Sequence, residues 1–270
     1  EARQVSAQVA LGIHGRRRAG PGETFWQFRP FTSGEPAGRV DWRRSARDDR
    51  LYVREREWES AATWWLWIDL SRSMHFTSSL ALASKRDRAV VLGLALADLL
   101  VRSGERVGLL GLTAPIQSRT IINRLSDVLA PLADAADEDL PSGPAPGPRD
   151  RLILIGDCIL AHETARERIA RLSERGALGT LLQLRDPVET LFPFSGETEF
   201  LGPEDGLRWT VGEAADMAEA YKNRLQAHEV ALRQACHSRG WTFMSLTTDR
   251  PASEALLTLA MRLTGGAAGG

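Results

Sequence analysis

The sequence predicts an α/β fold, a doubly wound and mostly parallel sheet with helices on both faces, behind a small β-rich N-terminal element. Three observations carry this. Strongly apolar runs of strand length recur at residues 63–68, in "RVGLLGL" and in "RLILIGD". Between them lie longer stretches whose apolar residues follow helical spacing. The chain is 270 residues long with 43% hydrophobic and 26% charged residues, an ordinary globular balance with ample length for a sizeable core. Strand–helix alternation with right-handed crossovers builds a parallel sheet covered on both sides.

Residues 1–60 read differently from the rest. They are rich in Arg, Gly, Pro and aromatics, and "RRRAGPGETFWQFRPFTSGEP" has the turn residues of loops and short hairpin strands. The α/β domain is expected over 61–264. Its first strand, Thr63 to Ile68, is nearly all apolar, as a strand buried on both faces would be. "KRDRAVVLGLALADLLVRSG" reads as a helix closed by Gly104. "RVGLLGL" is a strand, and "TIINRLSDVLAPL" a short amphipathic helix with Thr120 at its N-cap. Residues 133–150, acidic and then rich in Pro and Gly, read as an exposed linker. Strand "RLILIGD", helix "HETARERIARLSERG" and strand "ALGTLLQL" follow. After an irregular stretch at 186–212 come a long helix to Gly240, the strand "WTFMSL" and a last helix, "RPASEALLTLAMRL". Residues 265–270 read as a frayed tail.

Composition narrows the function. A net charge of −1 gives no global attraction to nucleic acid. The two cysteines, Cys158 and Cys236, lie far apart and read as buried, reduced thiols, which suits a reducing compartment. The most apolar segment, "AVVLGLALADLLV", is too short for a span, contains Asp98 and reads as a buried helix. No secretory signal is visible, so a cytoplasmic protein is expected, at most peripheral to the inner membrane. The first residue is not Met, which leaves room for an anchor before Glu1.

The chemistry concentrates in "WLWIDLSRSMHF". Asp69, Ser71 and Ser73 leave the end of the first central strand on alternate residues. In doubly wound sheets ligands bind outside the carboxyl ends of the strands, near the switch point of the strand order. One carboxylate and two hydroxyls form a hard, all-oxygen half-site of the kind magnesium and manganese take while keeping several waters. Asp157, after "RLILIG", belongs to the same edge and can bind directly or through water. Thr120 is the candidate hydroxyl from a third loop. The plainer reading also stands, because Asp and Ser are favoured N-caps where a strand turns into a helix.

Other features weigh less. "GRVDWRRSARDDRLYVRERE" alternates charges, with acids offsetting the arginines, so a salt-bridged structural block outweighs a docking face. Arg16, Arg17 and Arg18 read as a solvated turn, with contact to an acidic surface as the alternative. Trp64, Trp65 and Trp67 read as core. The five histidines show no metal-ligand spacing, and His75 reads as a surface residue. There is no P-loop and no G-x-S-x-G elbow.

The block "FRPFTSGEPAGRVDWRRSARDDRLYVREREWE" resembles the signature of the domain-of-unknown-function 58 family, at Arg29, Phe31, Gly34, Glu35, Val40, Asp41, Trp42, Ser45, Ala46, Arg47, Leu51, Val53 and Glu57. "IDLSRSM…GERVGLLGL…LILIGD" looks like a von Willebrand factor A domain, whose metal-ion-dependent adhesion site is D-x-S-x-S, a Thr and a later Asp. The resemblance implies a von Willebrand factor A-like fold and a magnesium or manganese ion on Asp69, Ser71, Ser73, Asp157 and Thr120. It also implies partnership with a MoxR-type AAA+ ATPase, contacted through a carboxylate on the metal. Gly156-Asp157-Cys158 stands where many such domains have T-D-G, and the usual Gly-Gly-Thr loop is absent. The expected function is a non-enzymatic, metal-dependent protein-interaction module, an adaptor or co-chaperone. A metal-dependent phosphatase-like hydrolase and a structural domain with a non-functional metal site are the alternatives.

Overall fold

The structure is a computed structural model describing residues 1–14, 25–32, 35–36, 38, 40–47, 50–56, 61–132, 140–143, 145–202 and 206–265. Arg16 to Arg18, the family-motif positions Gly34 and Glu57, and the tail beyond 265 lie outside the described residues. Two units emerge: residues 14–61, and residues 1–13 together with 62–270.

The division moves the expected boundary, because the first element is a helix that packs into the α/β unit. Helix α1 (Ala2–His14) places Ala2, Val5 and Val9 in the main core. Its Ser6 hydroxyl donates to Asp98 Oδ2 at 2.6 Å, and Arg102 Nε donates to the same oxygen at 2.7 Å. These contacts explain how the apolar segment that carries Asp98 can be buried: the carboxylate is held by a hydroxyl and a guanidinium.

In the smaller unit β1 (Phe25–Pro30) pairs antiparallel with β2 (Tyr52–Arg56). Between them a single helical turn, α2 (Trp42–Ser45), is capped by Asp41, whose side chain accepts from the Arg44 amide at 2.9 Å. Ser45 Oγ accepts from the Tyr52 amide, Arg29 pairs with Glu35 at 2.5 Å, and the Arg44 guanidinium lies over the Tyr52 ring. The motif residues described here therefore knit their own unit together.

The larger unit is built on β3 (Thr63–Ile68). The chain continues through α3 (Lys85–Arg102), β4 (Arg106–Leu109), α4 (Ile121–Leu129), β5 (Arg151–Gly156), α5 (His162–Ser173) and β6 (Leu178–Arg185). A short helix α6 (Pro187–Leu191) and a hairpin of β7 (Thr198–Leu201) and β8 (Arg208–Val211) occupy the stretch read as irregular. Then come α7 (Ala218–His237), β9 (Thr242–Thr247) and α8 (Ala252–Gly265). The sheet order is β4-β3-β5-β6-β9, and every pairing is parallel. This is the expected doubly wound α/β architecture.

Period-two alternation divides the strand residues between two cores. Leu66, Ile68, Val107, Leu109, Ile153, Ile155, Leu182 and Leu184 face α1, α3, α4 and α8. Leu152, Leu154, Leu181 and Phe243 face α5 and α7. Trp64 is buried on the first side, and Trp65 and Trp67 pack half-buried on the second. Cys158 and Cys236 are buried, and burial pushes the Cys236 thiol up to about 12. Among the described residues no helix is long and apolar enough to cross a membrane. The described part of the presumed linker is not simply exposed: Leu140 is fully buried and its carbonyl accepts from Arg168.

The chain leaves β3 for β4 on one side, then returns to β5 on the other. The switch point therefore lies at the carboxyl ends of β3 and β5. At the other, amino-terminal end of β6 the packing tolerates little change. Trp241, held by its indole N–H on the Ala177 carbonyl at 3.0 Å, lies against Gly179, where an added Cβ would meet the ring at 2.4 Å. Gly179→Ala is expected to lower stability by about 1–3 kcal/mol through overpacking, measured as a lower urea midpoint at unchanged m.

Candidate functional site

The Asp69 amide donates to the Ile155 carbonyl at 2.8 Å, so the β3–β5 ladder runs one residue past the strand. Its carboxylate then ends the strand, because Asp69 Oδ1 accepts from the Ser71 amide at 2.8 Å. This local turn leads into a 3-10 turn at Arg72–His75. The Ser71 and Ser73 hydroxyls lie 3.1 Å apart. Asp69, Ser71 and Ser73 are 0%, 1% and 2% exposed, so packing fixes all three side chains. Gly156, at the end of β5, makes room: a Cβ there would sit 2.7 Å from both Cβ and Oδ2 of Asp69.

Asp157 follows Gly156 and is equally buried, at 2% exposed. Its partner is Lys85, the first residue of α3, whose Nζ donates to Asp157 Oδ2 at 2.8 Å and to Glu189 Oε1 at 2.7 Å. Lys85 is 1% exposed. Burial works against its charge, but Asp157 and then Glu189 outweigh that and hold its pKa above the usual value, so the ammonium persists. Glu189 is placed by a capping box on α6. Its other oxygen accepts from the Asp186 amide at 2.7 Å, while Asp186 accepts from the Val188 amide. Asp186 also takes the amide and hydroxyl of Ser78, at 2.7 and 2.6 Å, which ties the loop after Ser73 to the end of β6.

The structure thus brings together Asp69, Ser71, Ser73 and Asp157 and leaves Thr120 out. Ile116 bridges antiparallel to Val107, so the chain beyond it runs toward the start of β4, away from the carboxyl ends. There Thr120 is exposed, lies 2.9 Å from the Ser118 hydroxyl and makes no side-chain cap. His75 is exposed beside Arg86.

The donor set decides how far a divalent cation suits these residues. Asp69, Ser71 and Ser73 supply hard oxygens from a single loop, which fits magnesium or manganese with few protein ligands. Asp157 does not fit as a direct ligand, because its carboxylate is already neutralised by an ammonium at 2.8 Å. Among the described residues no group of three or more His, Cys, Asp and Glu is arranged to hold a metal. The centre that fits is one of hydroxyls and one carboxylate.

The sequence reading missed Lys85 and Glu189. A signal existed for both. A lysine at the first position of a helix opposes the helix dipole and needs a nearby carboxylate. "DPVE" is a capping-box pattern with Pro at the first turn.

Two substitutions test this geometry. Gly156→Ala is expected to lower stability by about 1–3 kcal/mol, because the Asp69 turn must shift. Lys85→Met, which leaves two carboxylates around an apolar side chain, is expected to cost about 3–5 kcal/mol at pH 7, read by urea unfolding. Because the folded pKa of Lys85 is raised, its contribution is complete below 10.5 and is lost as pH rises from there through the folded value.

The chain is similar to several known proteins. An uncharacterized protein of Mycobacterium tuberculosis and one of Mycobacterium bovis are each 24% identical over 261 residues, spanning 90% of this chain and 80% of theirs. Among solved structures, the conserved hypothetical protein BatB from Bacteroides thetaiotaomicron superposes with a TM-score of 0.39 at 13% identity, covering 76% of this chain and 100% of that one. The SpRpn10 VWA domain gives a TM-score of 0.37 at 9% identity, over 74% and 95% of the two chains. The profile described as protein of unknown function DUF58 matches residues 27–231, and the chain belongs to that family.

Proposed function

We propose that the protein is a binding domain rather than a catalyst, and that it engages a partner protein at the carboxyl edge of its sheet. The observation that carries this reading is the Asp69–Ser73 loop, which gathers one carboxylate and two hydroxyls at the switch point. Asp69, Ser71 and Ser73 hold magnesium or manganese, and the ion supplies a positive charge that a carboxylate of the partner can join. Asp157 contributes through Lys85, as charge balance behind the loop. The partner class is a MoxR-type AAA+ ATPase, a reading supported by membership of the DUF58 family. Any nucleotide hydrolysis in the complex belongs to that partner.

Isothermal titration with Mn²⁺ and Mg²⁺ tests the metal. Wild type is expected to bind, and Asp69→Asn to lose the heat while still melting cooperatively. At about 100 times Kd the ion is expected to add roughly 2.7 kcal/mol of stability, removed by EDTA. Equal heats from the two proteins sink the metal reading. Capture of a purified MoxR-type ATPase that ignores both Mg²⁺ and Asp69→Asn sinks the bridge to the partner.

A further inference from the structure

A cavity shares the carboxyl edge of the sheet with the Asp69 loop. It measures about 690 Å³ and opens at the carboxyl ends of β5 and β6, between the start of α5 and the first turns of α7. Asp157, Gln183, Arg185, Glu189, Tyr221 and His228 are among its lining residues. Gln183 and Arg185 alternate with Leu182 and Leu184 along β6, so both point to the α5/α7 side.

Arg185 is 7% exposed. Its Nη1 donates to Glu229 Oε2 at 3.0 Å. Its Nε and Nη2 are buried without a hydrogen-bond partner among the described residues. These two N–H groups form the side-on edge of the guanidinium, the fork that takes a carboxylate with two parallel bonds. Two residues earlier Gln183 is 2% exposed and donates its Nε2 to the Asp157 carbonyl at 3.0 Å. That bond orients the amide, and its Oε1 is buried without a partner among the described residues. Buried polar groups in folded proteins are normally satisfied, so a paired donor fork and a lone acceptor in the same wall call for a ligand.

The pattern defines its chemistry. The fork calls for an anion, and the Gln183 oxygen calls for a donor. Asp157, Glu163 and Glu189 also face the cavity, which disfavours a dianion such as phosphate. Ile159, Leu160 and Leu225 add an apolar wall. His228 donates from Nε2 to the Cys158 carbonyl at 2.9 Å, and burial lowers its pKa, so it lines the cavity as a neutral ring. Glu229 also accepts from Arg233 at 2.6 Å, so it keeps a partner when Arg185 turns to a ligand.

We propose that this cavity binds a carboxylate with a hydrogen-bond donor beside it and an apolar side chain, as at the end of a peptide or on an N-acylated amino acid, anchored by the Arg185 fork. The site goes beyond the metal-dependent reading and does not depend on it.

Calorimetric titration in EDTA tests it with N-acetyl-leucine, N-acetyl-leucinamide and a short peptide ending in leucine. N-acetyl-leucine is expected to bind with Kd on the order of 1 mM. The amide, which lacks the charge, is expected to bind about tenfold or more weakly. Arg185→Lys keeps the charge and removes the fork, and is expected to lose a similar factor while melting cooperatively. A peptide that binds tighter than the single residue identifies a chain end as the source, and equal affinity identifies a small acid. Equal binding of acid and amide to wild type overturns the proposal even if Arg185→Lys fails to fold. So does displacement by inorganic phosphate at equal concentration, or full affinity in folded Arg185→Lys.

Discussion

A buried ammonium organises this molecule. Lys85 Nζ lies between Asp157 and Glu189 with almost no exposure, so it joins the start of α3, the end of β5 and the cap of α6 at a single charge. Removing such a group from water is expensive, and only close, hydrogen-bonded carboxylates offset it. The three elements come from distant parts of the chain. Their agreement on one point sets the carboxyl edge of the sheet, and the loops around it are built to serve that agreement.

The same rule governs the surrounding acids. Asp69 is met by the Ser71 amide, Asp186 by Ser78 and Val188, and Asp98, on the far side of α3, by Ser6 and Arg102. Asp69 ends a strand, Asp186 caps a helix and pins a loop, and Asp98 holds α1 against α3, so the acidic groups are structural parts. At the Asp69 loop this leaves a hydroxyl-rich donor set with one carboxylate. Along β6 the rule is broken at Gln183 and Arg185, where Nε and Nη2 of the arginine and Oε1 of the glutamine have no partner among the described residues and line the neighbouring cavity. One edge therefore carries two chemically different places, a hard-oxygen loop and an anion fork, separated by the neutralised Asp157.

Much of the fold was legible because it rests on local periodicity. The apolar runs at 63–68, 151–156 and 178–185 announced parallel strands, and the helical spacing between them announced the crossovers. The order of strands and helices then placed Asp69 and Asp157 on one edge before any distance was known. What was not legible depended on contacts distant in sequence. Helix α1 reads as part of a polar, loop-rich segment, and only its packing against the main core and Asp98 shows where it belongs. The hairpin of β7 and β8 has only four residues in each strand, too few for a period to stand out.

Thr120 shows the limit at the site itself. Its position as the residue before α4 was right, but the brief antiparallel return of Ile116 onto Val107 carries that helix start to the opposite end of the sheet. The sequence by itself determined the parallel α/β order, the D-x-S-x-S loop and its place at a strand end, because these follow from spacing within short segments. Only the tertiary structure decided that Asp157 answers to Lys85, that Thr120 stands apart, and that Arg185 offers a buried fork. Charge partners across 72 or 104 residues are chosen by packing, which no local pattern encodes.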